Sequence, residues 1–190
     1  MNDTATLTAE QFGVTRFDLP DSGRWTELVR GKVVTLAPPE PDHGTIVLNL
    51  GKEFAGYFQR HRVGYACFDL GLTLSRSPDT VRFPAVSLFL GHVDFAESDR
   101  DITDSIPDLV VEVGSSPVRR RTMSDRVTEL LAMGVRQVWV IDPAARSVDV
   151  LESTRPREHL LAARVLESAN LLPGFGMQVE DLFVEPSWWK

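Results

Sequence analysis

Apolar and polar positions along this chain switch between a period of two and a period of three to four. Those switches mark out its elements. Residues 7–12, LTAEQF, read as a short helix with Thr8 as N-cap and Gln11 completing a capping box. FDLPDSGRW is turn-like. WTELVRGKVVTLAP then gives two short strands folding back at Arg30-Gly31. From residue 41 to 61, Ile46, Leu50, Phe54 and Tyr57 or Phe58 recur at three- and four-residue steps. That spacing predicts a helix with one apolar face and Asp42 as its N-cap. VGYACFDLGLTLSR and VRFPAVSLFL follow, separated by the turn Ser77-Pro78-Asp79-Thr80, and are expected as an antiparallel pair. Residues 81–89 read as one continuous strand.

Residues 91–105 are polar and acidic, a surface loop. IPDLVVEVG is a nearly unbroken apolar run, as a buried central strand requires. SSPVRRR reads as a loop, and residues 122–133 as a helix stopped by Gly134. RQVWVIDP and RSVDVLES are two more strands, residues 158–168 are mixed, and LLPGFGMQVEDLF closes the domain. The order implies a single α/β (α+β) domain over residues 1–190, with a mixed central sheet flanked by helices. Its core is expected at about residues 24–153, with a C-terminal strand and loop extension over 154–190. The strand–helix–strand unit over 107–141 should be a right-handed crossover with parallel strands.

Composition narrows the chemistry. A chain of 190 residues, 43% hydrophobic and 25% charged, suits one globular domain. No apolar run approaches a bilayer span, so no membrane association is expected. The first residues lack a signal-peptide pattern, and the expected location is cytoplasmic. The single Cys67 excludes an internal disulfide and a cysteine-rich zinc site. The net charge of −7 argues against a protein that coats nucleic acid by charge alone. It leaves room for a nuclease with a local cationic patch. A Gly-rich phosphate loop, a Gly-x-Ser-x-Gly elbow and metal-ligand histidine spacing are all missing from the sequence.

The remaining candidates are carboxylates. Glu112 lies inside VVEVG, and a buried glutamate needs a metal, an arginine or water beside it. Asp108 and Glu112 share one face of that strand by alternation. Two readings stand. In one, both acids hold a hard cation such as Mg²⁺. In the other, Asp108 caps the start of the strand and Glu112 pairs with an arginine from the next helix. Arg126 is the best-placed cation, either for substrate phosphate or for a salt bridge to Glu129 or Glu112. The run Arg119-Arg120-Arg121 suits phosphate contact or a solvated loop. His43, near the start of the long helix, suits a structural role or the edge of a substrate site.

WTELVRGKVV, His43, VRFPAVS, PDLVVEVGSSP, MGVRQVWVIDP and LLPGFGMQVEDLF, in that order, resemble the Uma-two family over about residues 7–183. These are restriction-endonuclease-like proteins with the fold of the PD-(D/E)XK nuclease superfamily. The resemblance implies a Mg²⁺- or Mn²⁺-dependent endonuclease acting on DNA, with homodimers common in the superfamily. Carried over, Glu112 is the metal-binding Glu, Ser115 its serine, and Asp108 the flanking acid. Glu27 and His43 match the family's upstream Glu and His. Two positions depart from the pattern. Ala85 stands where the family has the Asp of its Pro-Asp pair, and Arg126 where it has a helix lysine. Asp69 or Asp79 could replace the missing acid. The expectations are therefore a diverged active nuclease, an inactive nuclease fold that binds nucleic acid or a protein, or a structural partner with no ligand.

Overall fold

The computed structural model describes residues 6–91 and 94–186. The capping box at Thr8 and Gln11 forms and starts helix α1 (Ala9–Thr15). Two short 3-10 turns lead to the hairpin β1 (Thr26–Val29) and β2 (Lys32–Thr35), turning at Arg30-Gly31 as the sequence predicts. Helix α2 (Asp42–His61) follows. Its expected N-cap is corrected by one position. Asp42 is already helical, Pro41 occupies the cap, and no side chain closes it.

The next stretch departs most from expectation. VGYACFDLGLTLSR is two strands, β3 (Gly64–Phe68) and β4 (Gly71–Ser75). Residues 81–89 are not one strand either, but β5 (Thr80–Arg82) and β6 (Val86–Leu90). Pro84 has no N–H to donate to a ladder, so pairing stops there. Asp69, with φ of 50°, breaks the partner run. The antiparallel ribbon is therefore shared between two sheets, with β4 pairing β5 in one and β3 pairing β6 in the other. Within the loop expected over 91–105 lies a short strand, β7 (Ile102–Thr103), parallel to β4.

After β8 (Leu109–Val113), the segment expected as a loop is helical: α3 runs Pro117–Met133. Ser116 accepts a hydrogen bond from the Arg119 N–H, and Pro117 sits in the first turn, where its missing N–H costs nothing. Gly134, with φ of 112°, ends the helix as expected. β9 (Gln137–Asp142) pairs parallel with β8, as the crossover reading required. β10 (Ser147–Glu152) and β11 (Arg155–Leu161) extend the sheet by antiparallel pairing. β12 (Val165–Ser168) and β13 (Leu172–Gln178) form a separate hairpin.

Two larger sheets result. One has the order β2-β1-β5-β4-β7, and the other β11-β10-β9-β8-β6-β3. Alternation along β8 assigns its side chains. Leu109, Val111 and Val113 pack with Ile46, Leu50, Phe54 and Tyr57 of α2. Val110 packs with Met123, Val127 and Leu130 of α3 on the opposite face. The C-terminal hairpin brings Leu166, Phe175 and Met177 into the α2 layer. Among the described residues no helix is long and apolar enough to cross a membrane.

Phe54 is the keystone of the α2 layer, with ring centroids 6.0 Å from Trp139 and 5.2 Å from Phe175. Phe54→Ala should lower unfolding free energy by about 3–5 kcal/mol in urea titrations. A loss under about 1 kcal/mol would mean that the hairpin does not pack as described.

Candidate functional site

The face of β8 that carries Val110 also carries Glu112, so this glutamate points toward α3 and is fully buried. Arg126, two turns into α3 and 1% exposed, reaches it. Its Nε donates to Glu112 Oε1 at 2.9 Å, and Nη2 lies 2.8 Å from the same oxygen. The other arm of the guanidinium belongs to β1. Arg126 Nη1 donates to both oxygens of Glu27, at 2.8 and 2.7 Å. One buried arginine thus bridges two buried glutamates from different sheets.

Two further arginines surround this bridge. Arg82 of β5 donates to Glu27 Oε2 at 2.9 Å and to Glu129 of α3 at 3.0 Å. Arg119 donates to Glu112 Oε2 at 3.4 Å and to the Phe83 carbonyl, and approaches Glu27 to 3.9 Å. The Phe83 N–H donates to Glu27 Oε1. Three guanidinium groups (Arg82, Arg119, Arg126) therefore face three carboxylates (Glu27, Glu112, Glu129), and the cluster is neutral. Burial pushes the Glu27 carboxyl up, but Arg126, then Arg119 and Arg82, outweigh it and hold its pKa at about 2. Burial alone would lower the Arg126 pKa; Glu112 and Glu27 reverse this and raise it.

The carboxylate pair expected on β8 does not assemble. Asp108 precedes the strand, four residues from Glu112, which is roughly 13 Å along an extended chain. Its carboxylate accepts from the Leu90 N–H at 2.8 Å and from Arg136 at 3.1 Å. It is the strand-start cap of the second reading, and Glu112 is the arginine-paired glutamate of that reading. Asp79 is engaged with the Ala9 and Ser77 N–H groups and with Arg76. Among the described residues no group of three histidine, cysteine or acidic side chains could hold a metal ion.

Ala85 is buried against Val86 and Leu88. It also lines a cavity of about 60 Å³ beside the cluster, together with His43, Asp69, Ser115 and Arg119. His43 is therefore near Arg119 but makes no hydrogen bond to Glu27 or Glu112 among the described residues. Burial, then Arg119, lowers the pKa of its imidazole, which favours the neutral form. Sequence reasoning passed over Arg82 and took Arg119 for a loop residue. The available signal was a strand arginine between apolar neighbours, VRF, and the Ser116-Pro117 helix start.

A family model described as "Putative restriction endonuclease", Uma2, matches residues 15–180. The chain belongs to the Uma2 family. Among solved structures, a putative nuclease of the DUF820 group from Anabaena variabilis superposes with a TM-score of 0.74 at 20% identity, covering 93% of this chain and 97% of that one. A comparison with curated proteins gave no match. The fold is thus the restriction-endonuclease-like α+β fold expected from the sequence. Within it Glu27 and Glu112 come together, while Asp108 is drawn elsewhere.

The folded-state pKa of Glu27 lies below its ordinary value of 4.5, so its stabilising contribution is full above about pH 4.5 and is lost as the pH falls toward 2. That contribution is roughly 3 kcal/mol. The stability difference between wild type and Glu27→Gln should shrink by about this much between pH 6 and pH 2.5 in chemical denaturation. Arg126→Ala leaves two buried carboxylates without their bridge and should cost about 3–5 kcal/mol at neutral pH.

Proposed function

We propose that this chain uses the nuclease fold to bind DNA through its phosphate backbone, without cutting it by metal-dependent hydrolysis. The observation that carries this reading is Arg126, 1% exposed and bonded to both Glu27 and Glu112. In a metal-dependent nuclease those carboxylates would be oxygen ligands for a divalent ion. Mg²⁺ needs near-octahedral oxygen ligation at about 2.0–2.1 Å. Here the space between the two acids is taken by a planar cation with fixed donor directions, which cannot lose its charge at any working pH.

The residues present do not fit a divalent ion. The acid expected as a further ligand is the methyl group of Ala85, and Asp108 is committed to Arg136 and the Leu90 amide. The carboxylates are already neutralised by three arginines, so a dication would bring uncompensated positive charge into a buried site. Arg126 is 1% exposed, with Nε and Nη1 spent on Glu112 and Glu27, so no phosphate reaches it and it is removed as a transition-state stabiliser. The mouth of the site still presents cationic groups, Arg16, Arg24 and Arg119, beside Ala85. Phosphate contacts of this kind give affinity without sequence readout. The family supports DNA as the partner.

The deciding assay is cleavage of plasmid and single-stranded DNA in Mg²⁺ or Mn²⁺, run beside a binding titration in EDTA. The wild type should show no divalent-dependent cleavage, and its DNA binding should survive EDTA and weaken linearly with log salt concentration. Ala85→Asp combined with Arg126→Lys frees the carboxylates and supplies the family's two residues, and should gain metal-dependent cleavage. Cleavage by the wild type that Glu112→Ala abolishes would overturn the proposal.

A further inference from the structure

The cavity beside Ala85 has features that the sealed cluster does not account for. Its walls come from the turns before β1, the segment after β2, the start of α2, the break between β3 and β4, the break between β5 and β6, and the start of α3. Three buried polar atoms there have no hydrogen-bond partner: Arg16 Nε, His43 Nδ1 and Ser115 Oγ. Ser115 is 1% exposed, so its hydroxyl is held out of bulk water with nothing to bond. Buried polar groups of this kind normally find a partner.

Charge says what that partner is. Arg16 and Arg24 line the cavity and make no ion pair among the described residues. Arg16 spends one Nη on the Gly23 carbonyl, and its guanidinium lies 4.1 Å from the Phe83 ring centroid. Arg24 lies over Trp25. Arg119 adds a third cation, already partly compensated by Glu112. The one carboxylate in the wall is Asp69, which is exposed. Two helices also begin here, α2 with His43 as its second residue and α3 directly after Ser115 and Ser116, and their amide ends favour an anion.

We infer that this cavity is a receptor for a phosphate monoester, the phosphorylated end of a DNA strand, rather than for an internal phosphodiester. The volume of about 60 Å³ is several times the roughly 10–15 Å³ that one buried water needs, room for a phosphate head. An internal phosphate has chain leaving from two ester oxygens, and a recess walled by six segments suits a group with one exit better. A terminal phosphate has one ester bond and enters end-on. It also carries about −1.5 to −2 charge at neutral pH, more than a diester's single charge, and Arg16, Arg24 and Arg119 outnumber the one carboxylate of the wall, Asp69. Ser115 Oγ donates to a phosphate oxygen, and His43 donates from Nδ1 in the matching tautomer.

This end recognition depends on the DNA-binding function proposed above for the source of its phosphate. The two are tested together in EDTA by fluorescence anisotropy, using one oligonucleotide sequence with a 5′-phosphate, a 3′-phosphate or hydroxyl ends, and as a closed circle. A phosphorylated end should bind about tenfold or more tightly than the hydroxyl form, and the better of the two phosphates identifies the end read. Inorganic phosphate should compete away that excess. Arg24→Gln, at an exposed position, and Ser115→Ala should each shrink the preference while leaving the circular dichroism spectrum unchanged. Equal affinity for phosphorylated, hydroxyl and circular DNA overturns the terminal-phosphate assignment and leaves DNA binding standing. Saturable binding of inorganic phosphate that Arg24→Gln weakens, with no binding of any DNA, retains the anion cavity and overturns the DNA source. Binding of neither overturns both.

Discussion

The Arg126 guanidinium is the joint on which the architecture depends. It holds Glu27 of one sheet and Glu112 of the other from a helix that packs on the second. Taken singly, each of these charges would be costly to bury. Together, with Arg82, Arg119 and Glu129, they compensate one another, and the low-dielectric surroundings strengthen each attraction. Such a network is not the cheapest way to fill a protein interior, since apolar side chains of similar volume often do as well. What it supplies is direction. Guanidinium–carboxylate geometry fixes how the β1–β5 edge sits against β8 and α3 in a way that apolar packing would not.

The same joint explains the chemistry. A nuclease fold brings acids from β1 and β8 to one point because the topology dictates it, whatever cation lies between them. On the reading proposed above, an arginine of the protein's own helix in place of a small dication keeps the acids, the strands and the burial, and removes the exchangeable ligand. The fold and the family stand, and on that reading an arginine takes the place of a hydrolytic ion.

Local chemistry in the sequence carried much of this. The Thr8 capping box, the Arg30-Gly31 turn, the α2 stripe of Ile46, Leu50, Phe54 and Tyr57, and the stop at Gly134 all depend on neighbours within a turn or two, and all appear in the structure. The resemblance located Glu27, Glu112 and Arg126, which the fold brings together. Failures came where tertiary context decides. Period-two alternation put Asp108 and Glu112 on one face and says nothing of the length that separates them. An apolar run through Pro84 looks like one strand until the chain is seen to cross from one sheet to the other. Ser116-Pro117 was a legible helix start, outweighed by the three arginines after it. The small cavity draws on six separated segments, and no pattern along the chain announces it.

The spacing of the joint along the chain has a kinetic consequence. Glu112 and Arg126 are 14 residues apart, within one strand–helix unit, and can meet early. Arg82 and Glu27 are 55 apart, and Arg126 and Glu27 are 99 apart. Closing those longer loops costs more entropy and falls late in folding. Before the sheets meet, each side is already balanced: Arg119 and Arg126 against Glu112 and Glu129 on the β8–α3 side, and Arg82 against Glu27 on the β1–β5 side. Until then these charged side chains keep both faces solvated, and a partly folded chain meets its neighbours with charged surface rather than with bare apolar strands. The charges that later seal the core thus shield the same faces while the two halves wait for each other.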